Sequence, residues 1–105
     1  MINVSFKSKK RECFAEGIFD EKENTILVKK GAKISIRTDE KFRMSKEARK
    51  REDKALFEKN ILKKDLKFKS PSIAAQFISG SSLNGLKVWK TEDKRPLKEY
   101  LERKN

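Results

Sequence analysis

The stretch Ser70–Lys90, SPSIAAQFISGSSLNGLKVWK, contains half of the glycines in the chain, one of its two prolines and its only tryptophan. Ser70 before Pro71 predicts the start of a helix, because the serine hydroxyl can accept a backbone N–H and proline at the first helical position forfeits no hydrogen bond. Gly80 supplies the left-handed residue that ends such a helix. Its predicted buried face consists of Ile73, Ala74, Phe77 and Ile78, and Ala75 allows close approach.

The residues on either side of this helix are typical of strands. Before it, DLKFK at 65–69 alternates apolar and basic side chains. After it, the dipeptide Asn84-Gly85 predicts a tight turn with a left-handed asparagine. We expect this turn to lead into a strand over 86–90, with Leu86 and Val88 on one side.

The first forty residues are typical of strands as well. Ile2, Val4 and Phe6 alternate with polar residues, which indicates a half-buried strand. The segments 13–19 and 25–29 flank a polar stretch and predict a hairpin, in which Gly17 marks a bulge or a close backbone approach. We expect a further strand over 33–37, with Ile34 and Ile36 sharing one face.

Two more helices are predicted. Residues 45–62, SKEARKREDKALFEKNIL, contain no glycine or proline, and Ser45 is a suitable N-cap. We expect a helix here with a narrow apolar stripe and exposed ion pairs such as Glu47/Arg51. Pro96 begins a short C-terminal helix. The sequence therefore predicts a single α+β domain over residues 1–105, a small antiparallel sheet packed by two main helices, starting at Ser45 and Ser70, and a short C-terminal helix.

The charge of the chain is strongly unbalanced. Lys and Arg number 28 against 16 Asp and Glu, which gives a formal net charge of +12. Such an excess favours a polyanionic partner, with nucleic acid as the leading candidate. The alternative is that a lysine-rich composition only keeps a small protein soluble.

The residue types present argue against several chemistries. The chain has no histidine and one cysteine, so neither a Cys/His zinc site nor an internal disulfide is available. We expect Cys13 to be a small buried hydrophobe, and we expect no cofactor and no catalytic site, since no base, phosphate-binding loop or carboxylate cluster stands out. The N-terminus has no apolar run of signal-peptide length, and no stretch is long enough to span a bilayer, which favours a cytoplasmic protein without membrane contacts.

The Ser70–Lys90 stretch resembles a small bacterial family, the domain of unknown function 4357 (DUF4357). Its signature is similar to S-P-S-x-A-A-x-x-x-x-G-x-S-x-N-G-x-x-x-W-K, and upstream Ala15-x-Gly17 and Val28-x-Lys30-Gly31 are similar to its hairpin. Two positions depart from the family pattern: Ser81 replaces a basic residue and Leu86 an aromatic one.

The resemblance implies a link to DNA. The family is commonly appended to GIY-YIG-type nucleases and restriction-system proteins, and a related group of adaptor domains, with S-x-S-A-A and N-G-W-x-x-W patterns, has been proposed to read modified DNA. Because this sequence has no nuclease attached, we expect any nuclease or methylase that it serves to be a separate polypeptide; the alternative is that the chain is a degenerate remnant of a larger protein.

The candidate nucleic-acid-binding residues are Lys69, Ser70, Ser72, Asn84, Lys87, Trp89 and Lys90. The helix start at Ser70 and Ser72 offers N–H groups and hydroxyls to a phosphate, although ordinary capping would use the same atoms. Asn84 could read a base edge or only shape its turn, and Trp89 could stack on a base or lie in the core.

These residues favour a non-catalytic nucleic-acid-binding accessory module, with double-stranded DNA preferred and RNA left open. The alternative from another class is a protein-interaction adaptor that docks on an acidic partner. A catalytic hydrolase fragment is disfavoured.

Overall fold

A computed structural model describes residues 1–39 and 43–104. Its main feature is a five-stranded antiparallel sheet in the order β6-β3-β2-β1-β7. The strands are β1 (Ile2–Ser8), β2 (Cys13–Asp20), β3 (Thr25–Val28), β6 (Leu66–Phe68) and β7 (Lys90–Thr91), and a separate two-stranded hairpin consists of β4 (Phe57–Glu58) and β5 (Ile61–Leu62). The helices are α1 (Pro71–Ser79), α2 (Gly85–Val88) and α3 (Leu97–Lys104). The α+β class is confirmed.

The N-terminal strands form as predicted. Along β1, Val4 and Phe6 are buried between exposed polar residues, and the β2–β3 hairpin encloses the predicted loop. Cys13 is buried in the core. Gly17 is a close approach and not a bulge, because the pairing register runs through it and a Cβ atom there would lie 2.6 Å from the Leu27 carbonyl oxygen.

Helix α1 has the predicted caps. The Ser70 hydroxyl accepts a hydrogen bond from the Ile73 N–H at 3.1 Å, and Pro71 is the first helical residue. Gly80 has φ of 72°, and its N–H donates to the Gln76 carbonyl. The helix packs on one face of the sheet through Ala74, Ala75, Phe77 and Ile78, while Ile73 is only half-buried.

The prediction of a continuous helix over 45–62 is wrong. This segment forms two short 3-10 helices, Ala48–Glu52 and Lys54–Leu56, followed by the β4–β5 hairpin. Lys59 and Asn60 form the hairpin turn with φ of 51° and 67°. A helix with so narrow an apolar stripe gains little from packing, so tertiary contacts override its helix-favouring composition. The expected exposed pair of Glu47 and Arg51 is absent, since Arg51 is buried.

The prediction of a strand over 33–37 is also wrong. Only Lys33 bridges to neighbouring strands, and beyond it Ile34 is buried whereas Ile36 is 81% exposed. The backbone leaves the sheet here because the Ser35 N–H donates to the Ile78 carbonyl near the end of α1. The segment thereby satisfies a carbonyl that the helix itself leaves free.

The tight turn and strand predicted over 84–90 are replaced by a short helix. Asn84 has φ of −78° and caps α2, with its side-chain oxygen accepting from the Leu86 N–H at 3.0 Å. In place of the predicted strand over 86–90, only the two-residue strand β7 (Lys90–Thr91) forms. A Cβ atom at Gly85 would lie 2.2 Å from the carbonyl carbon of Pro71, so this glycine is needed for close packing and not for a left-handed backbone.

The C-terminal helix is confirmed, with Leu97 fully buried and Tyr100 and Leu101 packed against the core. In the described ranges, no helix is both long enough and apolar enough to cross a membrane.

Candidate nucleic-acid interface

A groove of about 490 Å³ lies between the β1–β2 turn and α2. Five cationic side chains line it: Lys7, Lys10, Arg11, Lys87 and Lys90. Asp39 is the one carboxylate among the described residues that line the groove. The local charge is therefore strongly positive and suits an anionic ligand.

The groove is assembled by the pairing of β7 with β1. This antiparallel pairing places Lys90 opposite Ser5, two residues from Lys7. Lys87 lies on α2, and the Lys90 ammonium donates a hydrogen bond to the backbone carbonyl of Lys87 at 2.9 Å. Residues from both ends of the chain thus meet on one surface.

Asp39 fixes the position of the Arg11 guanidinium in the groove. Its Oδ1 accepts from both terminal nitrogens of Arg11 at 3.3 Å, and its Oδ2 accepts from the Ser81 hydroxyl at 2.7 Å. The Ser81 hydrogen bond, followed by the nearby Arg11 guanidinium, lowers the pKa of Asp39 below its ordinary value. The carboxylate therefore stays ionised at neutral and mildly acidic pH.

Arg11 is fixed from a second direction. Its Nε donates to the Ser79 carbonyl at 2.8 Å, at the end of α1, and its side chain is only 14% exposed. All three guanidinium nitrogens thus have partners within the protein, so the planar group is held in one orientation at the edge of the groove.

Two of the predicted contact residues, Lys87 and Lys90, lie together in the groove. Lys69 is exposed but does not line it, and it follows β6 at the opposite edge of the sheet. The structure therefore does not bring Lys69 to the other two lysines.

The prediction that Trp89 contacts a ligand is wrong. Its side chain is fully buried, packs against Phe6 at 5.7 Å between ring centroids, and donates from Nε1 to the Pro71 carbonyl at 3.0 Å. An indole enclosed in this way has no free face on which a base could stack. Trp89 belongs to the core.

The two serines and Asn84 serve the fold. Ser70 caps α1, and the Ser72 hydroxyl accepts from the Gly85 N–H at 2.9 Å. Because Gly85 packs directly on the backbone of the first α1 residues, α2 covers the helix start that was expected to hold a phosphate. Asn84 remains exposed, and its contact with a base stays a prediction.

Sequence reasoning missed Lys7, Lys10 and Arg11. Their signal is the basic run KSKKR at 7–11, which follows the apolar alternation of the first strand. Nothing in the sequence indicated that this turn would face Lys87.

Within residues 1–39 and 43–104, no three Cys, Asp or Glu side chains come together in a way that could hold a metal ion.

The fold and the groove define a small α+β domain with a cation-lined surface and a buried tryptophan beside its second helix. Residues 5–101 match the family described as Domain of unknown function (DUF4357), and the chain belongs to this family. No curated protein and no solved structure matches the chain significantly.

Proposed function

We propose that the protein is a non-catalytic nucleic-acid-binding accessory module that holds double-stranded DNA in the groove. The observation that supports this proposal is that one groove is lined by five cationic residues and by Asp39 as its only described carboxylate. The cations are Lys7, Lys10, Arg11, Lys87 and Lys90. The phosphate backbone is the anionic ligand that such a surface suits, because Lys and Arg contacts to phosphates supply most of the affinity in non-specific binding.

The composition of the groove favours binding with little sequence preference. Ammonium and guanidinium groups contact phosphates and position a duplex, whereas sequence is read by contacts to base edges. The described uncharged lining consists of Phe6, Ser8, Ser81, Leu83 and Val88. Because Arg11 is paired with Asp39, four lysines remain to neutralise phosphates, and log Kd should change with log salt with a slope of about 3 to 4.

The wider context of the proposal is a nuclease or methylase partner in a restriction or modification system of the cytoplasm. The resemblance of the Ser70–Lys90 signature to domains appended to such enzymes supports this association. DNA is favoured over RNA on the same ground.

Charge reversal in the groove tests the proposal. The double variant K87E/K90E should bind a duplex at least tenfold more weakly at low salt, because two phosphate contacts become repulsive. The magnitude of its salt slope should fall by about 1.8. Fluorescence anisotropy with a labelled duplex at several salt concentrations measures both quantities.

The matched control is K63E/K64E, which makes the same change in net charge at two exposed lysines outside the groove. Equal losses of affinity in the two double variants would show that only the total charge matters, and would overturn the groove as the interface. Weak wild-type binding to duplex, single strand and RNA alike, vanishing at physiological salt, would favour an acidic protein partner instead.

Asp39→Asn provides the opposite test. The amide can keep its oxygen as the acceptor for Arg11 and donate from its nitrogen to the Ser81 hydroxyl, but it removes the negative charge, so duplex affinity should rise a few-fold and the salt slope should steepen. The gain should be the same at mildly acidic and neutral pH, because the pKa of Asp39 is held below its ordinary value. Duplex binding that is unchanged or weaker would contradict the placement of the phosphates beside Arg11.

A further inference from the structure

The face of the sheet opposite α1 is open. Strand alternation sends Val4, Phe6 and Phe19 into the core and leaves the intervening residues of β1 and β2 on the outer face. The described helices bury their apolar side chains in the core, on the other side of the sheet. In the described part of the chain, the outer face is thus free to meet a ligand.

An exposed aromatic ring lies on this face. Phe14 is 44% exposed and alternates with the buried Cys13 and Ala15 along β2. Covering the exposed part of such a ring is favourable, because apolar surface is removed from water. This ring is therefore a candidate contact surface.

Lysines flank the ring on both sides. The register pairs Phe14 with Lys7 of β1, and an isolated bridge pairs it with Lys33. Phe14 and Lys33 exchange backbone hydrogen bonds of 3.0 and 2.9 Å, which fixes this pairing. Directly opposed residues have Cβ atoms about 5 Å apart, so both ammonium groups can reach the surroundings of the ring.

One row along the strands, the same face carries balanced charge. A shallow hollow of about 260 Å³ is lined by the cations Lys29 and Lys90 and by the carboxylates Glu16 and Glu92. Glu12 and Glu16 are the acidic residues within two positions of Phe14 along the chain. Four lysines and three glutamates surround the ring and the hollow, so the net charge is slightly positive, and the two lysines paired with Phe14 complement a phosphodiester strand.

We propose that the outer face binds a single-stranded nucleic-acid segment, with Phe14 stacking on an unpaired base and Lys7 and Lys33 contacting the adjacent phosphates. Base–aromatic stacking is tolerant of sequence, and an exposed ring surrounded by cations is the combination that single-strand binding uses. An apolar protein partner would bind this face weakly, because the contact would remove water from four lysine ammonium groups.

The single-strand site on the outer face is an addition to the proposed duplex binding, and it adjoins the duplex groove. Lys7 and Lys90 belong to both surfaces. The ligand that fits the two together is a duplex that continues into a single-stranded tail.

The test compares three labelled probes by anisotropy: a blunt duplex, the same duplex with an oligo-dT tail, and the oligo-dT alone. For the wild type, the tail should increase affinity over the blunt duplex. Phe14→Ala should remove this gain, a loss of about fivefold or more, and should leave blunt-duplex affinity unchanged. Phe14→Leu, which keeps an apolar side chain of similar bulk without a π-face, should behave like Phe14→Ala.

Phe14→Trp gives a second readout that does not depend on a loss. The new indole should retain the gain from the tail, and its fluorescence should be quenched by oligo-dT, whereas the buried Trp89 of the wild type should not respond. Thermal unfolding of each variant checks that the fold is intact.

The outcomes separate this proposal from the duplex proposal. A gain from the tail that survives in Phe14→Leu, or no gain in the wild type together with an unquenched Phe14→Trp, overturns the single-strand site. Binding of oligo-dT that depends on Phe14 while the blunt duplex does not bind would support the outer face and overturn the groove.

Discussion

Trp89→Ala is expected to lower the free energy of unfolding by about 3–5 kcal/mol, the usual loss for a large aromatic residue removed from a core. The side chain is fully buried and packs against Phe6. The change would also leave the Pro71 carbonyl without its indole donor, and it would open a cavity between α1, α2 and the sheet. Urea unfolding followed by circular dichroism measures the loss.

Trp89→Phe distinguishes the core role from a ligand role. It keeps a ring but loses the hydrogen bond to Pro71, so we expect a smaller loss of about 1–3 kcal/mol and a folded protein. Duplex and oligo-dT affinities of this variant should equal those of the wild type. A folded Trp89→Phe variant with greatly weakened binding would contradict the assignment of Trp89 to the core.

Arg51→Ala is expected to destabilise the fold by about 3 kcal/mol or more, because it leaves buried carbonyl groups without a donor. The Arg51 guanidinium donates to the carbonyls of Phe77 at 2.8 Å and Arg37 at 3.1 Å, and makes a short contact with that of Ser35. Burial lowers the pKa of this guanidinium, but arginine remains charged in proteins. Urea unfolding followed by Trp89 fluorescence provides the measurement.

Arg51 acts through backbone groups. It joins the first 3-10 helix, the segment 35–37 and the carboxyl end of α1, where a cation is favourable beside the helix dipole. A lysine at this position could supply charge but not several donors in one plane, so Arg51→Lys should recover only part of the stability.

Arg49→Ala is the matched control for this prediction. Arg49 lies in the same 3-10 helix, but its side chain is 59% exposed and pairs with Glu52 on the surface. We expect its loss to change stability by no more than about 0.5 kcal/mol. Equal effects of the Arg49 and Arg51 substitutions would show that the buried hydrogen bonds do not contribute as described.

The candidate interface was predictable only in part. Lys87 and Lys90 stood out in the sequence because they lie beside a motif rich in turn and cap residues, and both line the groove. Lys7 and Arg11 join them through the pairing of β7 with β1, a contact between opposite ends of the chain that no local pattern encodes. Trp89 was ambiguous, because stacking and core packing require the same side chain and differ only in burial.

The elements that could be predicted from local sequence are those whose causes lie within a few residues. Ser70, Pro71 and Gly80 bound α1 through hydrogen bonds and backbone angles that each residue carries with it. The alternation of β1 and the polar loop of the β2–β3 hairpin are equally local.

Long-range packing, in contrast, sets the path of residues 45–62, the role of Gly85 and the assembly of both surfaces. A composition that favours helix in 45–62 was overridden by contacts that exist only in the folded chain, namely the hydrogen bonds from buried Arg51 to distant carbonyls and the pairing of β4 with β5, because an isolated helix with little apolar surface is only marginally stable. Gly85 gained its role from contact with Pro71, which lies on another helix. Such outcomes depend on contacts between residues far apart in the chain, and local preferences are too weak to specify them.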